Sequence, residues 1–231
     1  MGLKPLSVVF DDFAQDKDRG EIRVVNQTLQ ARRGLQVRVR VYDLSGKIVF
    51  DRRGAVDVGA QGVTEALVMP ALKTISSVYF VRCELFDADG VALADNIYWQ
   101  SVTPDRVGPR ANDKAFDVKQ EQWADFQPLQ SMAKVHLEVK GSVQKTSGKR
   151  EVAISLHNPT RQLAFFVRAE ITDGKDGNEI LPITYDNNYV TVFPGETVTL
   201  HGRFEPGDGG RNPPWLRVEG VNAPRELVAI R

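Results

Sequence analysis

The sequence predicts an all-β protein that contains two antiparallel β-sandwiches in tandem, and three observations support this prediction. Short β-rich runs separated by turn residues dominate the chain, the pattern contains no long amphipathic helix, and the second half repeats the order of the first. In the clearest run, apolar and polar residues alternate with a period of two, which is typical of a strand with one solvent-exposed face. Its apolar positions are Leu35, Val37, Val39 and Val41, and its polar face carries Gln36, Arg38, Arg40 and Tyr42.

Turn signals separate these runs at the spacing of β-hairpins. They are Ser45-Gly46, Asp89-Gly90, Asp173-Gly174 and Asp176-Gly177. Asp and Gly both tolerate the positive φ of tight turns, and Asp can also bond its own backbone. The stretch "DGKDGNE" from Asp173 to Glu179 has the oxygen-rich composition of a calcium loop but not its Asp-x-Asp-x-Asp-Gly spacing. We therefore interpret it as a hairpin turn.

The two halves are joined by a segment of different composition. Residues 103–130 are rich in proline and charge and do not alternate, which indicates a linker that ends in a short helical or irregular piece. On each side, a strand, an Asn-x-Thr bend, a strand and an Asp-Gly-type turn follow in the same order: "EIRVVNQT" is matched by "EVAISLHNPT". We predict immunoglobulin-like sandwiches at 1–102 and 123–231, with a linker at 103–122.

Composition excludes several classes of function. Lys plus Arg and Asp plus Glu both number 30, so net charge gives no reason to expect nucleic acid as a partner. The single cysteine, Cys83, cannot form an internal disulfide and is expected to be a small buried hydrophobe. No run reaches the roughly 18 to 20 apolar residues of a membrane helix, and the start lacks a signal-peptide pattern. Because a strand pattern begins a few residues after Met1, we expect a piece of a longer protein.

Enzymatic motifs are missing from the sequence, so we nominate no catalytic, cofactor-binding or metal-binding residue. His136, His157 and His201 lie in or beside strand patterns without ligand spacing, and a structural role is favoured over metal ligation. Exposed aromatic rings are the remaining candidates for carbohydrate or domain-interface contacts. These candidates are Trp99, Trp123, Tyr185, Tyr189 and Trp215, and for the tryptophans packing between modules is the favoured interpretation. Asn26 begins an N-glycosylation pattern, "NQT". Asn158 does not, because the Pro159 that follows it is not allowed in this pattern.

One series of motifs resembles a known enzyme family. "NIYWQS", "DFQPLQSMAKVHLEV", "SLHNPTRQLAFFVRAEITDGKDGNEILPITYDNNYVTVFPGETVTL" and "LRVEGVNAP" are similar to the C-terminal immunoglobulin-like domains of glycoside hydrolase family 2. The nearest likeness is to its exo-β-D-glucosaminidase and β-mannosidase branch. The resemblance covers residues 93–224 and is densest over 158–200, while residues 1–92 resemble the preceding sandwich more weakly.

The resemblance implies a larger, retaining exo-glycosidase, periplasmic or secreted, whose catalytic glutamates belong to a (β/α)8 barrel. Such a barrel needs about 250 residues of alternating strands and helices, and this chain has no such pattern. We therefore interpret the stretch from Tyr185 to Glu196 as structural. We expect Asp186 to Asn188 to turn the chain by local bonds, Tyr189 to reach backbone through its hydroxyl, and Pro194-Gly195 to form a turn.

Three hypotheses follow from these patterns. In the first, the chain is a non-catalytic accessory region that packs against the catalytic barrel through Trp99, Trp123 and neighbouring apolar side chains. It predicts an exposed apolar patch on this chain. In the second, Trp215, Tyr185 and Tyr189 form a stacking platform of a carbohydrate-binding module, which requires coplanar exposed rings. In the third, a fibronectin-like adhesive protein docks through an exposed edge strand.

Overall fold

The computed structural model describes residues 4–11, 19–72, 74–109, 118–146, 148–205, 207 and 212–230. These residues form two compact units, which divide between Leu129 and Gln130. The described residues are nearly all β, with one 3-10 helix at Gln127–Ser131. The predicted fold class is confirmed. Among the same residues, no helix has the length and apolar character needed to cross a membrane.

The described residues of the first unit form nine strands in three antiparallel sheets. Its strands are β1 (Leu6–Asp11), β2 (Arg19–Asn26), β3 (Arg32–Asp43), β4 (Ile48–Val58), β5 (Val63–Pro70), β6 (Val78–Phe86), β7 (Ala92–Ser101), β8 (Arg106–Val107) and β9 (Gln120–Gln122). The sheet orders are β1-β2-β5, β4-β3-β6-β7 and β8-β9. Apolar residues of the first two sheets share one core, as expected of a β-sandwich.

Strand β3 shows where the alternation holds and where it ends. Val37, Val39 and Val41 are fully buried, as the period of two predicts. Tyr42, which the pattern assigns to the wet face, is also buried, because the β3–β4 register shifts between Val41 and Tyr42. Cys83 lies fully buried on β6, and burial raises the pKa of its thiol to about 12. Its predicted role as a buried hydrophobe is therefore confirmed.

In the second unit, the part of the chain that the structure describes forms two four-stranded antiparallel sheets around one core. Its strands are β10 (Glu138–Thr146), β11 (Lys149–His157), β12 (Ala164–Asp173), β13 (Thr184–Tyr185), β14 (Val190–Val192), β15 (Thr197–Phe204), β16 (Pro214–Glu219) and β17 (Glu226–Ala229). The sheet orders are β10-β11-β15-β13 and β14-β12-β16-β17. In the turn after β12, the N–H of Asp173 donates a hydrogen bond to the carbonyl of Asn178. This bond agrees with the interpretation of the stretch from Asp173 to Glu179 as a turn.

The repeated Asn-x-Thr bend forms the same hydrogen-bonded loop in each unit. The amide nitrogen of Asn26 donates to the carbonyls of Gln30 and Gly59, and its oxygen accepts from Thr28 N–H and Oγ1. In the second unit, Asn158 donates to Gln162 and Val192 and accepts from Thr160 N–H and Oγ1. Asn26 and Asn158 are both almost fully buried. The repeat seen in the sequence is therefore a repeat of tertiary structure.

The segment assigned to the linker carries structure of its own. Strands β8 and β9 pair through Arg106↔Gln122 and Val107↔Gln120, and residues 110–117 lie outside the described part. Asp105 accepts a hydrogen bond from the Ala124 N–H, which fastens the end of β9. We keep residues 103–122 as a proposed connection between the two sandwiches.

Candidate functional site

The loop between β13 and β14 turns through side-chain to backbone bonds, as the sequence predicts. Asp186 Oδ1 accepts from Asn187 N–H, Asn187 Oδ1 accepts from Asn188 N–H, and Asn188 Oδ1 accepts from Tyr189 N–H. These successive contacts let the chain reverse direction without a regular turn. The following Pro194-Gly195 pair also forms the expected turn. Gly195 has a φ of 73°, and Glu196 N–H bonds to Phe193 O, which is the arrangement of a type II turn.

The structure differs from the sequence analysis over which tyrosine reaches the backbone. The hydroxyl of Tyr185 accepts from the Ile171 N–H at 3.2 Å, and so joins β13 to a strand of the opposite sheet. Tyr189 instead has a φ of 54° and is 47% exposed. Its left-handed backbone turns the ring toward Phe166, with 5.0 Å between ring centroids.

Phe166 and Tyr189 form a strained, exposed aromatic pair. Phe166 has a φ of 53°, next to a register shift in the β12–β14 ladder. A bulky residue in the left-handed region costs roughly 1 to 3 kcal/mol and persists only where its surroundings enforce it. Arg168 lies 5.9 Å from the centroid of the Tyr189 ring and pairs with Glu170 and Glu179. Sequence analysis did not nominate Phe166 or Arg168, since both occupy an ordinary strand pattern.

The side-chain amides of Asn188 and Asn222 hold this strained backbone in place. The side chain of Asn188 accepts from the N–H of Ala169 and donates to its carbonyl, both at 2.9 Å, so it replaces a strand partner. Asn222 accepts from the Phe165 N–H and donates to the carbonyls of Ala133 and Leu163. Asn222 is 1% exposed, and no local sequence signal marks it as important.

The structure does not bring the predicted aromatic candidates together into one platform. Tyr185 is half buried by its contact with Ile171, Tyr189 packs on Phe166, and Trp215 has the Lys175 ammonium over its ring at 5.8 Å. Trp99 on β7 is 42% exposed, and Trp123 after β9 is 74% exposed. The packing of the tryptophans between modules stays a prediction.

Trp123 belongs to a cluster of exposed apolar residues at the end of the first unit. We call this cluster the apolar hairpin, and its members are Val102, Val107, Val118 and Trp123. They are 51%, 58%, 42% and 74% exposed; Val107 lies on β8, Val118 and Trp123 flank β9, and Val102 follows β7. Concentrated exposed apolar side chains mark interaction surfaces in soluble proteins.

The histidines occur with single polar partners. His136 faces Glu226 at 3.4 Å, His157 faces Thr197 at 3.0 Å, and His201 faces Asp186 at 2.9 Å. Within the described ranges, no group of three or more His, Cys, Asp or Glu side chains could hold a metal ion. Each histidine thus has one local contact on the surface of the second unit.

The glycosylation pattern at Asn26 lies in an inaccessible place. Asn26 is 1% exposed, and its side-chain nitrogen donates to the carbonyls of Gln30 and Gly59, both at 2.8 Å. Both amide hydrogens are therefore used, and a glycan on this nitrogen would open the loop. The folded unit does not present Asn26 as an acceptor.

Asp186 supplies the clearest electrostatic feature of the loop. Partial burial by itself would raise the pKa of its carboxyl, but hydrogen bonds from the backbone N–H of His201, from the His201 ring and from Asn187 N–H lower the pKa below its ordinary value of 3.8. The ionised carboxylate is thus the form that holds the loop to β15.

The variant Asp186→Asn is expected to be destabilised near neutral pH by less than about 1 kcal/mol, because the Asp186 side chain is half exposed. A lowered folded pKa gives stability that is present above the unfolded pKa and is lost as the pH falls through the folded value. The difference between the two proteins should therefore shrink in acid. Thermal unfolding of both proteins from about pH 7 to about pH 3 measures this, and a constant difference would contradict it.

Comparison with known proteins identifies both units. A family model described as the exo-beta-D-glucosaminidase Ig-fold domain matches residues 115–223, and one described as the mannosidase Ig/CBM-like domain matches residues 18–102. The exo-beta-D-glucosaminidase of Amycolatopsis orientalis is 28% identical over 216 residues, which cover 91% of this chain and 21% of that protein. The exo-beta-D-glucosaminidase of Hypocrea jecorina is 26% identical over 225 residues, or 95% of this chain and 25% of that protein.

Solved structures agree with these matches. The crystal structure of Amycolatopsis orientalis exo-chitosanase CsxA matches with a TM-score of 0.86 and 26% identity, over 98% of this chain and 26% of that one. A β-D-mannosidase from Dictyoglomus thermophilum, with a TM-score of 0.57 and 13% identity, shares the fold. The chain spans about a quarter of the length of these relatives. Over residues 18–102 and 115–223, it belongs to the immunoglobulin-like domains of glycoside hydrolase family 2 enzymes of the exo-β-D-glucosaminidase and mannosidase type.

Proposed function

We propose that this chain is a non-catalytic accessory region of a larger retaining exo-β-glycosidase, and that it packs against the catalytic domain of that enzyme. The observation that carries this proposal is the apolar hairpin. The relatives of this chain are four to five times longer than it is and are named as exo-β-D-glucosaminidases. Most of each relative therefore lies outside the matched part. A catalytic domain in that remainder is the partner with which an apolar surface of this chain would be buried.

The composition of the apolar hairpin suits a domain interface. Trp123 offers a large ring at 74% exposure, and Val102, Val107 and Val118 add smaller exposed apolar side chains to the same end of the first unit. Interfaces concentrate their binding energy in a few aromatic anchors that are ringed by less important contacts. The pairing of β8 with β9 fixes Val107 next to the strand that Trp123 follows, and such fixed positions limit the entropy lost on docking.

The carboxylates support an accessory role over catalysis. Among the described residues, Glu170 is the buried carboxylate, and its two oxygens pair with the guanidinium groups of Arg168 and Arg217. A glycosidase needs a proton-donating carboxylic acid beside a second carboxylate that stays ionised. Glu170, held between two cations, is suited to a structural role.

Binding between this chain and the separately purified catalytic domain of the same protein tests the proposal. Trp123→Ser is expected to weaken the affinity by about 30-fold, since an anchor residue contributes about 2 kcal/mol or more. Leu29→Ser is the matched control, because Leu29 is 80% exposed in the same unit but lies outside the apolar hairpin. Calorimetry that shows no complex, or equal losses for the two variants, would overturn the proposal.

A further inference from the structure

The exposed face of the sheet β10-β11-β15-β13 contains a depression of about 660 Å³. Its floor is formed where short side chains meet, because Ser142 on β10 lies opposite Ala153 on β11. Ala153 in turn lies opposite His201 on β15. We call this feature the sheet depression. Its volume falls within the roughly 300 to 1,000 Å³ typical of small-molecule sites.

Longer polar side chains form the walls of the sheet depression. At one end, Gln144 and Glu151 stand beside Arg203, since Glu151 and Arg203 are register partners on β11 and β15. At the other end, Asp186 and His201 close the wall. The walls arise because the alternation of each strand sends these residues away from the core.

The charges of the walls are already compensated. Glu151 pairs with Arg203 at 3.1 Å, Asp186 faces His201 at 2.9 Å, and Lys149 pairs with Glu205 at 2.9 Å. The cations Lys149 and Arg203 in the lining are balanced by the carboxylates of Glu151 and Asp186. A strongly charged ligand would have to break one of these pairs, so the site favours a ligand that is polar but neutral.

The same walls offer many hydrogen-bonding groups. Gln144 can both donate and accept, the hydroxyls of Ser142 and Thr184 can do either, and each paired carboxylate keeps further acceptor capacity. A ring that carries several neighbouring hydroxyls can use donors and acceptors from both walls at once.

We propose that the sheet depression binds a neutral pyranose unit of a saccharide. The choice of a saccharide over other neutral polar molecules rests on the proposed function, because the relatives are glycosidases. The sheet depression shares Tyr185 with the predicted aromatic platform, but Trp215 and Tyr189 do not line it. It also differs from the apolar hairpin, which belongs to the other unit.

Titration of the ¹⁵N-labelled chain with methyl β-D-glucopyranoside and methyl β-D-mannopyranoside tests this site. At least one of them is expected to bind with a dissociation constant of about 1 mM, with shifts concentrated at residues 142, 153, 184 and 201. Ala153→Arg, which fills the floor from an exposed strand position, is expected to weaken binding at least tenfold. Gln36→Arg is the matched control, because Gln36 is an exposed strand position in the first unit.

Each other outcome would overturn the inference. An absence of saturable shifts with both glycosides would show that the sheet depression is a solvent-exposed sheet face that binds neither saccharide. Binding that survives Ala153→Arg would place the saccharide elsewhere. Methyl β-D-glucosaminide, whose ammonium is charged, should bind no more tightly than the glucoside, and a tenfold preference for it would overturn the neutral assignment. Because these titrations contain no catalytic domain, their failure leaves the Trp123 experiment unaffected.

Discussion

Replacement of Asn158 by alanine is expected to lower the free energy of unfolding of the second unit by about 4 kcal/mol. The substitution removes four side-chain hydrogen bonds, to Gln162, Val192 and, twice, Thr160, from a position that is fully buried. The Val192 carbonyl and the Thr160 N–H would lose these partners inside the protein. A buried polar group without a partner costs roughly 1 to 3 kcal/mol.

Urea unfolding, with amide exchange followed over residues 149–157, measures this effect. Asn26→Ala removes the equivalent loop contacts from the first unit and should produce a similar loss there, visible over residues 19–26. Asn212→Ala serves as the control in the second unit, because the Asn212 side chain is exposed. A loss below about 1 kcal/mol for Asn158→Ala would contradict the structural role of the loop.

Asn222→Ala is expected to destabilise the second unit by about 3 to 5 kcal/mol. Asn222 ties its own loop to two other segments, since it bonds to Ala133 before β10 and to Leu163 and Phe165 at the start of β12. Its loss would also release the backbone that holds Phe166 at positive φ. We therefore expect both a lower unfolding free energy and greater mobility of the aromatic pair.

Urea unfolding and ring NMR signals of Phe166 and Tyr189 measure the two effects. Asn222→Asp separates them, because it keeps the acceptor for the Phe165 N–H but removes the donors to Ala133 and Leu163. This variant should lose stability and retain the geometry of Phe166. If Asn222→Ala left both the stability and the ring signals unchanged, the proposed tie between the three segments would be wrong.

Patterns within a few residues of one another were sufficient to predict much of the protein. Strand alternation gave the buried positions Val37, Val39 and Val41, and local Asx bonds gave the loop from Asp186 to Tyr189. Each of these features depends on neighbouring backbone and on the contrast between apolar and polar side chains. The repeated order of strand, Asn-x-Thr bend and strand likewise predicted the two related sandwiches.

The candidate sites depended on tertiary structure. Sequence analysis gave the backbone contact to Tyr189, but the packing of the two sheets assigns it to Tyr185. It did not find the Phe166–Tyr189 pair or the sheet depression, because the members of each lie on elements that are separate in the chain.

The sequence by itself determined the all-β class, the two tandem sandwiches and their main turns, because these follow from contacts between near neighbours. Tertiary structure alone decided the role of Asn222, whose partners Phe165 and Ala133 lie 57 and 89 residues away along the chain. Such contacts exist only after segments that are distant in the chain have assembled, and no local pattern of residue types specifies which side chains will then meet.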